Sequence, residues 1–401
     1  NSVLIVGAGP AGLSLAAYLT RKNIPVRIFE AESSLPKNLR ASTFHPPTLD
    51  FLEPFGASKF LIDQGLVAPT FQYRDRIKGC LAEFNFSLIS QETNHPFRVQ
   101  CEQFKLNRYL LDWLYGQGVE DIHFDHEIKN LEQNNDRVTV IAATPNGDKS
   151  YSGALLIGAD GANSIVRQLS GINFEGFTWE ERFLVVSTTY DYKKYIKNLS
   201  YVNYYADPQQ WFFLLKVPGL WRVMFPVQKE ENEADIFSSE CVENRMQWVQ
   251  ASSKTFEIAH RTLYKVHQRV AVKYRQGRIF LIGDAAHINN PLGGMGMNGG
   301  IHDAFNLAEK ISLFWHNQKN SSVLDLYEKQ RRPIALEYVN KQSIKNKQNL
   351  EANTLEAQEA FRVFLSELME DQSRARDYMM RVSMISSLRE SPRNDYFLNR
   401  S

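Results

Sequence analysis

A glycine-rich turn near the start of the chain contains the first residues whose types and spacing suggest chemistry. Gly7-Ala8-Gly9-Pro10-Ala11-Gly12 matches G-x-G-x-x-G and lies between an apolar run typical of a buried strand, Val3 to Val6, and a predicted helix. In such a turn the first glycine permits the bend, the second lets a pyrophosphate approach the backbone, and the third lets helix and strand pack closely. The N–H groups at the helix start would then bind the phosphates.

A carboxylate lies where the ribose of a nucleotide would need one. Glu30 ends the second predicted strand, Ile24 to Glu30, about 20 residues beyond the turn, where a carboxylate accepts hydrogen bonds from ribose hydroxyls and repels a 2′-phosphate. A glycine-rich turn without a ligand is the simpler interpretation, but the strand, the helix and Glu30 together favour a dinucleotide site. These features alone do not separate FAD from NAD.

Two later segments decide between these cofactors. One is Ile157-Gly158-Ala159-Asp160-Gly161-Ala162-Asn163-Ser164; the other is Arg278-Ile279-Phe280-Leu281-Ile282-Gly283-Asp284-Ala285-Ala286-His287, followed by Pro291-Leu292-Gly293-Gly294-Met295-Gly296-Met297-Asn298-Gly299-Gly300. With the first turn, they resemble, in the same order, the motifs of single-component (class A) FAD-dependent aromatic hydroxylases, which include p-hydroxybenzoate hydroxylase. The resemblance extends from Val3 to about Pro333 and implies bound FAD.

The resemblance also implies which residues contact the flavin. Asp284 would bind a hydroxyl of the ribityl chain, and the N–H groups of the helix that follows the glycine-rich loop would face the N1/C2=O edge of the isoalloxazine, where reduction places negative charge. Arg40 and Gln103 fall where this family contacts the cofactor, and Ile128 would bond the adenine through its backbone. The predicted cofactor-binding residues are Gly7, Gly9, Pro10, Ala11, Gly12, Glu30, Arg40, Gln103, Ile128, Asp160, Asp284, Pro291, Gly294, Gly296, Met297 and Asn298.

The order of the predicted elements favours an α/β fold with a discontinuous nucleotide-binding domain. Buried-strand runs occur at the start, at 155–157 and at 279–282, and aromatic, strand-like residues fill 183–227 between them. We expect a Rossmann-like FAD-binding domain of the GR2 type, formed by residues 1–68, 100–170 and 271–332. A β-rich substrate domain with a mixed sheet, residues 69–99 and 171–270, would be inserted into it, and 333–401 would form C-terminal helices.

In the family that the sequence resembles, NADH or NADPH binds transiently and reduces the flavin. The reduced flavin reacts with O2 to give a C4a-hydroperoxide that hydroxylates a phenolic or heteroaromatic ring, while the protein positions the ring and excludes water. Tyr190, Tyr204 and Tyr205 are candidates for the substrate pocket, although aromatic residues on strands more often form sheet core. Strand alternation places Tyr204 and Tyr205 on opposite faces. No residue is identified as the catalytic acid or base.

Composition limits the other partners. Lys and Arg number 46 against 45 Asp and Glu, so no field of one sign would attract nucleic acid or an anionic membrane. The three scattered cysteines fit a reducing, cytoplasmic setting, and His123 and His126 lack a third ligand, so we expect no metal. No apolar run is long enough to span a membrane. The apolar stripe Tyr378 to Met384 most simply is docked core, and its alternatives are a contact in a homodimer or a peripheral membrane contact.

Three other functions fit parts of the pattern. An oxygenase acting on a larger polycyclic substrate, of the antibiotic or quinolone type, would share every motif. A flavin-dependent halogenase would share the FAD domain, but the segment Trp221-Arg222-Val223-Met224-Phe225-Pro226 lacks the second Trp and the Ile of the halogenase Trp-x-Trp-x-Ile-Pro stretch. A non-catalytic flavin-binding protein is the third, and the intact glycine-rich loop argues against it.

Overall fold

Twenty strands and thirteen α-helices make up the described part of the chain, residues 2–37, 41–207, 209–317, 321–352 and 354–389 of a computed structural model. Strands β1 to β20 are Val3–Val6, Val26–Phe29, Thr43–Phe44, Leu66–Ala68, Thr70–Asp75, Gly79–Asn85, Arg98–Gln100, Ile122–His123, Glu127–Gln133, Val138–Ala143, Lys149–Gly153, Leu155–Gly158, Phe174–Thr188, Val202–Tyr205, Phe212–Val217, Leu220–Val227, Ile258–Ala271, Arg275–Gln276, Ile279–Leu281 and His287–Ile288.

The helices occur mainly at the two ends of the chain. Helices α1 to α13 are Pro10–Arg21, Pro46–Leu52, Ala57–Gln64, Gln103–Gly116, Ile165–Leu169, Glu233–Ile236, Ser239–Val249, Met295–Asn317, Ser322–Ile334, Gln342–Glu351, Leu355–Glu370, Gln372–Val382 and Ile385–Arg389. A π-helical segment, Ala335–Lys341, joins α9 to α10 without a break. Among the helices described, none combines the length and the apolar character needed to cross a bilayer.

The first sheet has six strands in the order β18-β19-β12-β1-β2-β8. Its inner strands pair in parallel, with Ile5 opposite both Ile28 and Ile157, and Gly158 opposite Leu281. Residues 3–6 and 155–158 are buried throughout, as expected of a parallel sheet covered on both faces. The three motifs that follow β1, β12 and β19 therefore lie at the same, carboxyl edge of one sheet.

The second large sheet has eight strands in the order β20-β17-β13-β16-β15-β14-β5-β6. Its pairs are antiparallel except β14 with β5, so it is the mixed sheet that the sequence predicted. The α/β fold class with C-terminal helices is thus confirmed. The predicted domain limits stay a prediction; the sheet itself takes its strands from 70–85, 174–271 and 287–288.

The two faces of the eight-stranded sheet pack against different parts of the molecule. One, here called the front face, packs against Leu292, which precedes α8, and against α10 to α13; Tyr73, Tyr204 and Met224 lie on it. The other, the rear face, packs against α6 and α7. Met379, Met380 and Val382 of the predicted C-terminal stripe are buried against the front face, which confirms that this stripe is docked core.

Two short polar residues separate neighbouring elements. Ser238 accepts a hydrogen bond from the Cys241 backbone N–H and starts α7 just after α6. Asp125 has a φ of +54° and separates β8 from β9. Both breaks depend on one short polar side chain that tolerates a turn.

Candidate active site

The glycine-rich turn after β1 has three glycines with different surroundings. A Cβ on Gly12 would clash with the carbonyl oxygen of Gly7, and a Cβ on Gly7, whose φ is +105°, would clash with the Ala159 carbonyl. A Cβ on Gly9 would meet no atom within 4 Å. Gly7 and Gly12 are therefore required by packing, whereas Gly9 borders open space at the N-terminus of α1, where a phosphate can approach.

Glu30 is held beside this turn by the backbone. Its Oε2 accepts the Ala8 N–H at 2.8 Å and its Oε1 accepts the Glu32 N–H at 3.1 Å. The Glu30 carbonyl also accepts the His126 N–H at 2.9 Å, which brings the start of β9, and with it the buried Ile128, to the same end of the site. Both predicted nucleotide contacts thus lie near the turn, and their roles stay predictions.

Asp160 lies next to the same turn, and its carboxylate accepts hydrogen bonds at the start of helix α5. Oδ1 accepts the Ser164 hydroxyl at 2.5 Å and Oδ2 accepts the Val166 N–H at 3.1 Å, at the first turn of α5. Burial raises the pKa of Asp160 although both hydrogen bonds oppose the shift. A Cβ built on Gly7 would lie 3.0 Å from the Asp160 Cα. The backbone of the second motif therefore packs directly against the turn of the first.

The third motif contacts the first through glycine and alanine. Gly283, with a φ of +59°, places a built Cβ 3.2 Å from the Ala11 Cβ, and a Cβ on Gly300 would lie 2.9 Å from the Gly283 Cα. Helix α1, the turn after β19 and helix α8 therefore meet with no room for side chains between them. Asp284, the next residue, is exposed at this junction, where it can reach a ligand that spans the two helix starts.

The loop before α8 is shaped by Asn298. Gly293 and Gly294 have φ values of +99° and +66°, and the Gly294 N–H bonds to the Pro291 carbonyl at 3.0 Å. The Asn298 amide donates to the carbonyls of Gly294 and Thr43 and accepts the His45 N–H at 3.0 Å. Its side chain thus holds the loop against β3. Any contact with a ligand would come from the backbone at the start of α8.

His45 follows β3 and lies against the loop before α8. The ring is fully buried, and its Nε2 lies 2.8 Å from the Gly293 carbonyl oxygen, while Nδ1 has no hydrogen-bond partner. Burial, reinforced by the charge of Arg98, lowers the pKa of His45 well below its usual value. The ring is therefore neutral, with Nε2 donating to Gly293 and an acceptor nitrogen left at the loop.

A buried charge cluster beneath the junction was not predicted from the sequence. Asp303 of α8 accepts Arg331 Nε at 2.6 Å and the Gly283 N–H at 3.2 Å, and its Oδ2 lies 2.7 Å from His287 Nε2. Burial alone would raise the pKa of Asp303, but Arg331 and then His287 outweigh it and leave that pKa lowered. The cluster fixes the turn that presents Asp284, and residues so far apart in sequence gave no local signal for it.

The other predicted cofactor-binding residues have simple placements. Gln103 begins α4, and its backbone N–H bonds to the Ala41 carbonyl at 3.0 Å. Pro10 and Ala11 form the first turn of α1, Gly296 and Met297 the first turn of α8, and Pro291 is exposed before it. Arg40 lies outside the described residues. Most of the predicted set therefore converges on the starts of α1 and α8.

The three candidate tyrosines divide between the two sheet faces. Tyr204 is buried on the front face, stacked between Tyr73 and Phe213 with ring centroids at 5.3 and 5.0 Å. Tyr205 is buried in the rear cluster against Phe212, and Tyr190 packs at the edge of that cluster. The predicted alternation of the strand is confirmed, and only Tyr204 shares a cluster with Leu292 of the loop.

One group of described side chains has the spacing of metal ligands. Ligand atoms of Asp50, Glu53 and His95 lie within 4.8 Å of one another. Hydrogen bonds within the protein already satisfy these side chains. His95 Nδ1 lies 2.7 Å from Asp50 Oδ1, Thr93 donates to Asp50, and Asn94 donates to Glu53. We assign no metal to this cluster.

Known proteins resemble this chain in sequence and in fold. The sequence profile of the FAD-binding domain family matches residues 1–342. Para-nitrophenol 4-monooxygenase of Pseudomonas sp. (strain WBC-3) is 31% identical over 343 residues, which cover 84% of each protein. The 6-hydroxy-3-succinoylpyridine 3-monooxygenase HspB of Pseudomonas putida (strain DSM 28022 / S16) is 30% identical over 357 residues, 87% of this chain and 88% of HspB. The crystal structure of p-nitrophenol 4-monooxygenase PnpA from Pseudomonas putida DLL-E4 superimposes with a TM-score of 0.91 at 27% identity, covering 98% of this chain and 99% of PnpA.

Proposed function

The chain belongs to the family of FAD-dependent aromatic monooxygenases, and from this premise we propose that it uses NADH or NADPH and O2 to hydroxylate a one-ring phenolic or heteroaromatic compound. The observation that supports this most directly is the junction of α1, the Gly283 turn and α8. There the three elements meet through backbone atoms, with no side chain larger than that of Ala11 between them. Such a junction suits a long cofactor with phosphates at one helix start and an electron-accepting ring at another.

The residues at the junction fit FAD. The open space beside Gly9 and the N-terminus of α1 would hold the pyrophosphate, Glu30 the adenosine ribose, and Asp284 the ribityl chain. The start of α8 would face the edge of the isoalloxazine that gains negative charge on reduction. A helix start contributes about 0.3–1 kcal/mol to an exposed anion and up to ~2 kcal/mol to a partly buried one. Bound FAD supplies the redox chemistry between the nicotinamide and O2.

The front face of the eight-stranded sheet would bind the substrate ring. Leu292 at the loop and Tyr73, Tyr204 and Met224 on the sheet form one apolar cluster, and an apolar surround excludes water from the reacting centre. Two relatives named for one-ring substrates match this chain over 84% and 88% of their own length, whereas 6-methylpretetramide 4-monooxygenase matches over 59% of its length. That match favours a one-ring substrate over the polycyclic alternative.

The test begins with the cofactor. We expect the purified protein to bind FAD, and to consume NADH or NADPH faster when a suitable phenol or hydroxypyridine is added, with a product heavier by one oxygen atom. Asp284→Ala should weaken FAD binding, whereas Asp325→Ala, which removes a half-exposed acid paired with Arg275, should leave FAD binding unchanged.

Three results would contradict the proposal. They are a folded protein that does not bind added FAD, a flavoprotein whose nicotinamide oxidation no aromatic accelerates, and a product that has gained halogen rather than oxygen. The nicotinamide preference would follow from the same assay with NADH and NADPH compared at equal concentration. Light scattering of the same sample gives the oligomeric state and tests whether the chain forms a homodimer.

A further inference from the structure

Gln268 is a fully buried amide that lies between the loop before α8 and the C-terminal helices. It belongs to β17, where the next residue, Arg269, pairs with Ile288 of β20. Its Oε1 accepts the Asn290 backbone N–H at 3.1 Å, and its Nε2 donates to the Ser343 hydroxyl at 2.9 Å. One side chain thus joins the eight-stranded sheet to the chain before α8 and to helix α10.

The chain between β20 and α8 depends on side-chain amides for its buried hydrogen bonds. After Ile288 the backbone leaves the strand pairing, yet Asn290 and Leu292 are both fully buried. Buried backbone N–H groups need partners. Gln268 accepts that of Asn290, and Asn290 Oδ1 accepts that of Leu292 at 3.1 Å. The position of Leu292, and with it the loop before α8, is therefore set by Gln268 and Asn290.

The C-terminal helices contact the same loop from the other side. Gln268 Nε2 donates to the Asn340 carbonyl at 3.3 Å, in the π-helical segment that leads into α10. Asn346 of α10 donates through Nδ2 to the Leu292 carbonyl at 3.4 Å. A Cβ built on Gly293 would lie 3.0 Å from the same Nδ2. Helix α10 and the loop before α8 are therefore in direct contact, and Gln268 bonds to both.

We propose that Gln268 is a positioning residue for the flavin, which holds the loop before α8 in the position that favours reduced FAD, with helix α10 as its support. The inference rests on the proposed function, in which the start of α8 faces the flavin edge that gains negative charge. Helix N–H groups stabilise an anion only within the first turn. A displaced loop would therefore weaken the binding of reduced FAD more than that of oxidised FAD, and the reduction potential would fall.

A purely structural role for Gln268 predicts a different result. In Gln268→Met an apolar chain of similar size removes the hydrogen bonds to Asn290 and Ser343, so the unfolding midpoint should fall under either role. Only the positioning role changes the reduction potential and the visible circular dichroism of the bound flavin as well. The flavin, and not the stability, therefore distinguishes the two roles.

Gln72→Met is the matched control for this substitution. Gln72 is 1% exposed, and its amide donates to the Glu83 carboxylate and to the Asn198 carbonyl. It lies in β5, which is separated from β20 by the other strands of the same sheet. Its loss removes a buried amide far from the loop before α8, so the unfolding midpoint should fall while the reduction potential stays unchanged.

The experiment uses the full chain loaded with FAD. FAD content is measured first by absorbance, because a folded wild type that binds no FAD would overturn the proposed function and this inference with it. The affinity for oxidised FAD is then measured by fluorescence titration, and the reduction potential by equilibration with a reference dye. The samples are the wild type, Gln268→Met, Ser343→Ala and Gln72→Met.

We expect Gln268→Met to weaken the binding of reduced FAD about three- to tenfold more than that of oxidised FAD. For a two-electron couple this ratio lowers the reduction potential by about 15 to 30 mV. Ser343→Ala should lower the potential by a smaller amount, because Gln268 keeps its hydrogen bond to the Asn340 carbonyl. The visible circular dichroism of the flavin should change in Gln268→Met and match the wild type in Gln72→Met.

Three results would overturn the inference while FAD stays bound. The first is an unchanged reduction potential in Gln268→Met, whatever its unfolding midpoint. The second is an equal shift of the potential in Gln268→Met and Gln72→Met. The third is an unchanged potential in Ser343→Ala, which would show that helix α10 does not support the loop. If Gln268→Met does not fold, the comparison of Ser343→Ala with Gln72→Met decides.

Discussion

Among the buried arginines of the described residues, Arg331 and Arg98 have different surroundings. Arg331 lies under the Gly283 turn with Nε 2.6 Å from an Asp303 oxygen, and its Nη2 reaches the Gly299 carbonyl. Arg98 lies at the front face with two of its nitrogens unpartnered and one carbonyl at 3.4 Å. Both side chains are 2% exposed, so burial alone does not distinguish them.

The difference lies in where the counter-charge comes from. Arg331 has its own carboxylate, and the pair holds the backbone turn that is proposed to bind FAD. Arg98 has none among the described residues, and its guanidinium contacts two aromatic rings and one carbonyl instead. The pair of Arg331 with Asp303 is therefore part of the scaffold, whereas Arg98 is held by aromatic and backbone contacts alone. The predictions below test the compensated side of this comparison, from the largest effect to the smallest.

Asp303→Asn should have the largest effect on stability. It leaves Arg331 buried without its counter-charge, and breaking such a pair costs about 3–5 kcal/mol. The control is Asp325→Asn, because the ion pair of Asp325 with Arg275 is partly exposed and is worth about 0–1 kcal/mol. Chemical denaturation of both variants gives the comparison, and equal losses would show that Asp303 and Arg331 do not act as a compensated pair.

His302 should make the protein sensitive to acid. Burial and the charge of Arg331 lower the pKa of His302 to about 3, so the folded protein keeps the ring neutral while the unfolded chain protonates it near pH 6.5. The unfolded state then binds more protons, and stability falls as pH decreases from about 6.5 towards 3, by about 1.4 kcal/mol per unit.

The matched variants isolate this contribution. His302→Gln should reduce the loss of unfolding free energy on acidification below about pH 6.5. His316→Gln, at an exposed histidine of α8, should leave that loss unchanged. His45, whose pKa is also lowered, keeps a residual slope in both variants. An identical acid limb in His302→Gln and in the wild type would show that His302 is already protonated in the folded protein.

Gly12→Ala and Gly9→Ala should separate folding from cofactor binding. A Cβ at position 12 would clash with the Gly7 carbonyl, and forcing it in costs about 1–3 kcal/mol of stability. A Cβ at position 9 meets no protein atom, so stability should change by less than about 0.5 kcal/mol while FAD binds more weakly. Loss of stability in Gly9→Ala with unchanged FAD affinity would contradict this assignment of the turn.

Sequence alone predicted the parts of the site that depend on neighbours in the chain. The turn Gly7 to Gly12 follows from its glycine spacing and from the apolar run before it. The family resemblance added the loop before α8. The order of buried and aromatic strands was enough to predict the inserted mixed sheet.

The missing parts of the site depend on contacts between distant residues. Asp303 accepts a hydrogen bond from Arg331, and Arg98 contacts the Val382 carbonyl at the end of α12. No periodicity of the sequence indicates either contact. From sequence alone, a single arginine on a short strand is predicted to lie at the surface, because buried arginines are rare. Only the packing of the C-terminal helices on the front face shows that Arg98 is buried and unpaired.

Tyr378→Phe should have the smallest effect. It removes one partly buried hydrogen bond, between the hydroxyls of Tyr378 and Tyr73, and such a bond is worth about 0.5–1.5 kcal/mol. Burial raises the pKa of Tyr378 to about 12, so the hydroxyl is neutral and the loss should not vary between pH 6 and 9. Tyr115→Phe, at an exposed tyrosine of α4, is the control. Because this tyrosine pair joins α12 to β5 without carrying charge, the denaturation midpoint of Tyr378→Phe should fall, while that of Tyr115→Phe should not. Equal midpoints in Tyr378→Phe and in the wild type would contradict a stabilising role for the hydroxyl pair.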